Sequence, residues 1–398
     1  MTTAVATRAP SALNAKNAGW AGVVLGFLAF FVAVPPLVVR SPAVVLVLGL
    51  AAIGAGAYAV GGGANRHGWG AIVAGAVGIV GGYAATKSGE GNLKTVVVWG
   101  ALLAATLRYA TPLAFGALGG LFSERSGVIN IALEGMMLAG AFFGAWGADI
   151  TNSWIGGIAI ALIAGGVFGL IHALFAVHLR ADQIVSGTAI NLLAVGITGY
   201  LYIDIYGDQG TPDNLPGVPD VHLPIKSVPL LGDVFGQLNL LVWVALALVV
   251  VTWVVVFRTP AGLRLRSAGE NPLAAETAGL SVVRTRYLAV MTSGALAALG
   301  GAFLSIGFVH SFTQNMVAGR GFIALAALIF GRWRPGSALA ATLLFGFGSA
   351  LAQRLPTFSP SGAVLFQALP YVLTLIAVTG LVGRSIAPAA LGRPLERS

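Results

Sequence analysis

The chain has 398 residues, of which 57% are hydrophobic and 9% charged, with 56 glycines, no cysteine and a formal net charge of +9. Soluble domains carry about 25% charged residues and keep polar exteriors, so a water-soluble core of this size is excluded and lipid is the solvent that fits. The basic excess is scattered instead of gathered on a polar domain, which argues against nucleic acid as a partner. The lack of cysteine removes disulfides and thiolate metal sites.

Met1 to Asn17 is short and polar, with Arg8 and Lys16. The apolar stretch behind it is the first of many, so it reads as an anchor helix and not as a cleaved leader. Apolar runs long enough to cross about 30 Å of hydrocarbon fall near 19–39, 42–61, 68–86, 95–118, 133–149, 154–177, 184–206, 238–257, 287–309, 337–352 and 363–383. A shorter run at 320–332 is either a tilted crossing or a re-entrant segment. The predicted fold is therefore all-α, a polytopic membrane bundle of ten to twelve spans. Residues 1–94 form a tail and accessory spans, 95–383 a core and 384–398 a second tail.

Loop charges predict the orientation. The stretch 258–286 carries Arg258, Arg264, Arg266, Arg284 and Arg286 against Glu270 and Glu276, and the C-terminal tail has Arg384, Arg393 and Arg397. The loop 207–237 holds Asp208, Asp213, Asp220 and Asp233 against Lys226 alone. The positive-inside rule then places 258–286 and both termini in the cytoplasm and 207–237 outside. The string IAL recurs at Ile131–Leu133 and Ile323–Leu325, near opposite membrane ends on this topology, as an inverted repeat would have it.

The most unusual segment is FSERSGVINIALEGMM, Phe122 to Met137, which sets Ser123, Glu124, Arg125, Ser126, Asn130 and Glu134 between two apolar spans. Polar backbone at membrane depth survives only inside protein or along a wet cavity. The segment is thus either a broken helix with Asn130 and Glu134 facing a solute, or an ordinary turn with Glu124 and Arg125 in water. Arg108 lies well inside the 95–118 run, and a charge there costs about 2.5–3.5 kcal/mol on insertion scales. It calls for a partner, with Glu134 and Asp204 as candidates, or for a place on the solute path. DQIVSGTAIN, Asp182 to Asn191, pairs Gln183 with Ser186 and Thr188 with Asn191 on helix faces. Such a stripe either lines a pore or makes interhelical hydrogen bonds.

GENPLAAETAGLS, Gly269 to Ser281, has a different character. Asn271 suits an N-cap, Pro272 the first helical position and Gly279 a helix stop. The product is a helix of about two turns, too short to stand alone, which makes sense if it docks on a partner or packs on its own protein. No lysine follows a glycine, so a Walker-type phosphate loop is missing and ATP is not bound in that way. The five histidines are scattered, with His172 and His178 read as interface residues, and no hydrolase motif appears. An enzyme is poorly supported.

With these residues in hand, the chain resembles the permease subunits of ATP-binding-cassette importers, in the branch serving branched-chain amino acids, ribose-type sugars and nucleosides. FSERSGVINIALEGMM is similar to the nucleoside form of a motif that sugar and amino-acid permeases carry in other versions. RSAGENPLAAETAGLS resembles the coupling helix that seats in the ATPase, and GRGFIALAALIFGRWRPG, Gly319 to Gly336, a second-half counterpart of the first motif. TLRYATPLAFGALGG, Thr106 to Gly120, also fits. The likeness covers about 95–383.

The resemblance implies a solute path near Arg108, Ser123, Asn130, Glu134, Gln183, Ser186, Asn191, Arg320 and Phe322. It implies ATPase coupling through Gly269, Glu270, Asn271, Pro272, Ala275 and Gly279. It further implies a multi-pass protein of the bacterial plasma membrane, paired with a second permease subunit as a homo- or heterodimer. ATPase subunits would bind the ATP and magnesium, and an extracytoplasmic solute-binding protein would meet the loop 207–237. No cofactor is expected on this chain. Nucleosides are the first expectation for the solute, with sugars or branched-chain amino acids as alternatives. A proton-coupled carrier using Glu134 or Asp204 as a relay is the competing class.

Overall fold

A computed structural model describes residues 14–34, 37–87, 98–212, 215–225, 228–354 and 386–394. The predicted span at 363–383, and with it Arg8, Asp213, Lys226, Arg384 and Arg397, lies outside the described residues. The chain divides into two compact units.

The first unit holds α1 (Ala15–Phe31), α2 (Pro42–Gly61) and α3 (Asn65–Lys87). Its buried positions are almost all small. Those of α1 are Ala18, Gly19, Gly22, Gly26 and Ala29, while Trp20, Val24 and Phe27 point outward. Gly26 and Gly78 meet backbone to backbone, with no room for a methyl group. Large apolar side chains outside and glycines inside are the reverse of a soluble bundle, and are what lipid allows.

The second unit runs from residue 100 to 350 and includes the tail residues 386–394. Its elements are α4 (Trp99–Arg125), α5 (Leu133–Thr151), α6 (Trp154–Ala173) and α7 (Gln183–Tyr206), then α8 (Leu231–Phe235), α9 (Leu240–Arg258), α10 (Pro260–Glu270) and α11 (Pro272–Thr277), and finally α12 (Val282–Ala302), α13 (Arg320–Phe330) and α14 (Pro335–Arg354). π-helical turns extend α6 over Leu174–His178 and α12 over Phe303–Val309. The backbones of α5, α6 and α12 touch at glycines: Gly140 against Ala298, Gly165 against Gly294, Gly301 against Met137.

Among the described residues, eight helices are long and apolar enough to cross a membrane, with α1 and α13 as shorter apolar helices. The predicted ten to twelve also counted these two, together with α5 and the stretch 363–383. α5 carries Glu134 and Asp149, which burial between neighbouring helices permits, since nearly all of it is screened from lipid. α13 has 11 residues, so it rises roughly 16 Å and does not span about 30 Å of hydrocarbon by itself.

Two features lie outside the elements expected from the sequence. β1 (Asp220–His222) and β2 (Gln237–Asn239) form an antiparallel ribbon with Asp220 opposite Asn239. In the basic loop, α10 precedes the expected short helix, starting where Thr259 Oγ1 accepts from the Gly262 amide at 3.2 Å and Pro260 takes the first turn. That Thr-Pro pair is a readable start signal.

Candidate functional site

α4 ends at Arg125 because Gly127 takes φ +95°, a left-handed conformation that glycine adopts without strain. Ser123 Oγ donates to the Val128 carbonyl at 2.8 Å and Ser126 Oγ to the Ser123 carbonyl at 2.6 Å, closing the turn. Helix resumes only at Leu133, so residues 128–132 lack the helical ladder. Their polar atoms must find other partners in a buried site.

Side chains from other helices supply them. The Ile129 amide donates to Gln183 Oε1 at 2.7 Å, and the Ile129 carbonyl lies 2.9 Å from His172 Nε2. A carbonyl only accepts, so Nε2 carries the proton and Nδ1 is left to accept from Ser186 Oγ at 3.2 Å. Asn191 Nδ2 donates to the Ile131 carbonyl at 3.0 Å while its Oδ1 accepts from the Gly135 amide at 2.8 Å. Asn130, fully buried, donates through Nδ2 to Ser293 Oγ at 2.8 Å. Its Oδ1 has no partner among the described residues. The predicted stripe Gln183, Ser186 and Asn191 is thus an interhelical hydrogen-bond set. Thr188 is outside it, exposed and bonded back to the Ile184 carbonyl at 2.9 Å.

The two motif stretches interlock. Glu134 accepts from the Gly319 amide at 2.7 Å and the Gly321 amide at 2.6 Å, capping the start of α13. Gly321 is required for this approach, since a Cβ there would lie 2.5 Å from the Glu134 backbone. Beyond the other end of α13, Trp333 Nε1 donates to Glu124 Oε2 at 2.5 Å. Arg125 Nη2 donates to the Trp333 carbonyl at 2.9 Å. An acid at the helix start opposes the helix dipole favourably, whereas past its end Glu124 and Arg125 act in opposite senses. Glu124 is buried and Arg125 half-buried, so the solvated-turn reading of this segment is replaced by a buried brace.

Other predicted residues fall nearby or apart. Arg320 Nη1 donates to the Met316 and Val317 carbonyls at 2.8 and 2.9 Å. Phe322 is 49% exposed. Arg108 is half-buried, and neither acid proposed for it is its partner among the described residues: Glu134 is held by backbone amides and Asp204 is exposed. In the basic loop Asn271 Oδ1 accepts from the Ala274 amide at 3.0 Å, Pro272 opens α11, and Gly279 at φ +82° follows it, as the sequence predicts. Ala275 faces inward against Ala268 and Val282, while Leu273 is 55% exposed. Gly269 seats against Arg125 and Gly127, and Glu270 is exposed beside it. Sequence reasoning missed the roles of Ser293, Trp333 and the buried Arg286: Ser293 and Arg286 sit in no unusual local pattern, and Trp333 lies in the Gly319–Gly336 motif with nothing to mark Glu124 as its partner.

The profile of the family described as "Branched-chain amino acid transport system / permease component" matches residues 102–378. The chain belongs to this permease family. Among its relatives is a guanosine ABC transporter permease protein, NupQ of Bacillus subtilis, 43% identical over 312 residues, 74% of this chain and 95% of the relative. A nucleoside ABC transporter permease protein, NupC of Lactococcus lactis, is 39% identical over 73% of this chain and 95% of its own. A putative glucose ABC transporter permease of Haloferax volcanii is 35% identical over 65% and 78%. No solved structure matches the chain. The permease family match begins at α4 and includes both interlocked motifs, so the brace around α13 lies within the family's common part.

Proposed function

We propose that this permease is the membrane subunit of an ATP-driven importer and that its solute is a nucleoside. The observation carrying the solute is the 43% identity to a guanosine permease over 95% of that relative. The break between α4 and α5 and the Gly319–Gly321 turn that meets it place polar groups inside an apolar bundle, the surroundings a polar solute needs. The path runs beside Asn130, Glu134, Arg108, Arg320 and Phe322, while Gln183, Ser186 and Asn191 hold the break in shape.

The energy comes from elsewhere. Two ATPase subunits, holding ATP and magnesium, seat under α11 on the basic side. The exposed Leu273 and the Asn271 end, not the inward Ala275, form the contact. Gly269 then passes the displacement to the Arg125–Gly127 turn. Both termini and 258–286 lie in the cytoplasm of a bacterial cell, a second permease subunit completes the path, and a binding protein delivers solute at the loop 207–237. The chain performs no chemistry on the solute.

The test is radiolabelled guanosine uptake in proteoliposomes holding the permease with its ATPase and binding protein. Vanadate-sensitive uptake is expected. Uptake by this chain alone, driven by a proton gradient, would overturn the reading in favour of a carrier. Glucose uptake in place of guanosine would move the solute to sugars, the direction to which the putative glucose permease points.

A further inference from the structure

The buried guanidinium of Arg286 and the tail segment 386–394 have no part in the scheme above, and they meet at its mechanical centre. Arg286 is fully buried on α12, donating through Nε to the Ser126 carbonyl at 3.2 Å and through Nη1 to the Arg393 carbonyl at 3.3 Å. The tail makes three further bonds. The Gly392 amide donates to the Gly127 carbonyl at 3.1 Å and the Ala390 amide to the Gly269 carbonyl at 2.9 Å. The Ala389 amide donates to Glu270 Oε2 at 3.2 Å. Gly392 takes φ +78° there, and a Cβ on it would lie 2.8 Å from the Ile129 side chain. Pro388 and Ala390 are buried, and Leu391 packs on the core.

One short segment therefore bonds both to the end of α10, next to α11, and to the turn that breaks α4 from α5. We infer that residues 389–393, with Arg286 as their anchor, are a clasp that makes the α10 end and the Gly127 turn move as one body. Burying an arginine without a hydrogen-bonded carboxylate is costly, and here main-chain carbonyls of the Gly127 turn and of the tail receive its Nε and Nη1 protons, while Nη2 has no partner among the described residues. Removing the tail leaves the α10 end joined to the break by close backbone contact at Gly269 and by the attraction between Arg125 and Glu270. The clasp is a positioning device: it touches no solute and sets how much of the ATPase stroke reaches the break. This inference rests on the importer reading.

The test uses two variants of the complete transporter. Gly392→Val places a β-branched residue at positive φ and undocks the tail. Solute moved per ATP hydrolysed is expected to fall about ten-fold, the worth of one or two hydrogen bonds, with ATP hydrolysis retained. An unchanged ratio would overturn the clasp. In the second, Glu270→Cys with Ala389→Cys, on a chain with no other cysteine, is joined by a short cleavable bis-thiol reagent. Linking is expected in every nucleotide state, with uptake at the level of the unlinked double variant. Failure to link shows the tail undocked, and uptake that stops until the linker is cleaved shows the clasp must open; either result rejects it. Linking is read by gel mobility without any solute, so a wrong solute and an undocked tail give different results.

Discussion

Two carboxylates, ten positions apart in the sequence, hold opposite ends of α13, and they grip different things. Glu134 takes two main-chain amides of the Gly319–Gly321 turn, whereas Glu124 takes one side-chain donor, the indole of Trp333. The first grip needs only an open backbone and a glycine. The second needs one particular residue 209 positions away. Of the two carboxylates Glu134 has the firmer grip, because two bonds outweigh one and neither amide has an easy substitute, while Arg125 on the Trp333 carbonyl reinforces the far end.

Glu134→Ala breaks the stronger grip and leaves two amides unpaired. At about 1–3 kcal/mol for each buried group, it is expected to cost roughly 3 kcal/mol or more in denaturant unfolding of the purified permease and to abolish most uptake. Glu134→Gln keeps an acceptor for one amide and should lose about half as much. Equal losses in both variants would show that the charge, and not the paired bonds, matters.

Gly321→Ala attacks the same end by crowding. It is expected to destabilise by about 1–3 kcal/mol, in the manner of an overpacked core, with uptake reduced. A neutral result would mean that Glu134 can yield by several tenths of an ångström. At the other end Trp333→Phe keeps the packing and removes the donor, leaving Glu124 buried and unpaired. A loss of about 1–3 kcal/mol is expected, with recovery in the Trp333→Phe, Glu124→Leu double variant. If the double variant is no better than the single one, the brace at this end is packing alone.

How much of this was readable beforehand divides along the same line. Asn130, Glu134, Gln183, Ser186 and Asn191 are conspicuous because they are polar residues set in apolar runs. Their partners are not, since Ile129, Ile131, Gly135, Gly319 and Gly321 answer with backbone atoms, and every residue has those. Ser293 looks like an ordinary member of a membrane chain, Trp333 lies in a recognisable motif that does not reveal its partner, and Arg286 looks like one more loop arginine until α12 draws it into the interior. The spans were legible because hydrocarbon thickness fixes their length. Three-residue strands carry no such length signal, so the ribbon at Asp220 and Asn239 went unforeseen.

Gln183→Leu tests the break itself. It strips the Ile129 amide of its partner, and a cost of about 0.6–1.7 kcal/mol is expected, the range found for interhelical bonds in membranes. Unfolding equilibria in mild detergent would register it. The smallest effect on stability belongs to α11. A thiol at Leu273 is expected to react with a polar maleimide and one at Ala275 to stay protected, because the two differ as 55% and 3% exposed. Equal labelling would mean that the helix presents a different face.

The fastening of α13 by Glu134 has an evolutionary consequence. A helix pinned through its main chain keeps its place whatever side chain follows the pin, provided position 321 stays a glycine. Phe322, just past the pin and half-exposed, can be exchanged without loosening the frame. Relatives that differ in what they carry can then share one scaffold and diverge by substitutions at such positions.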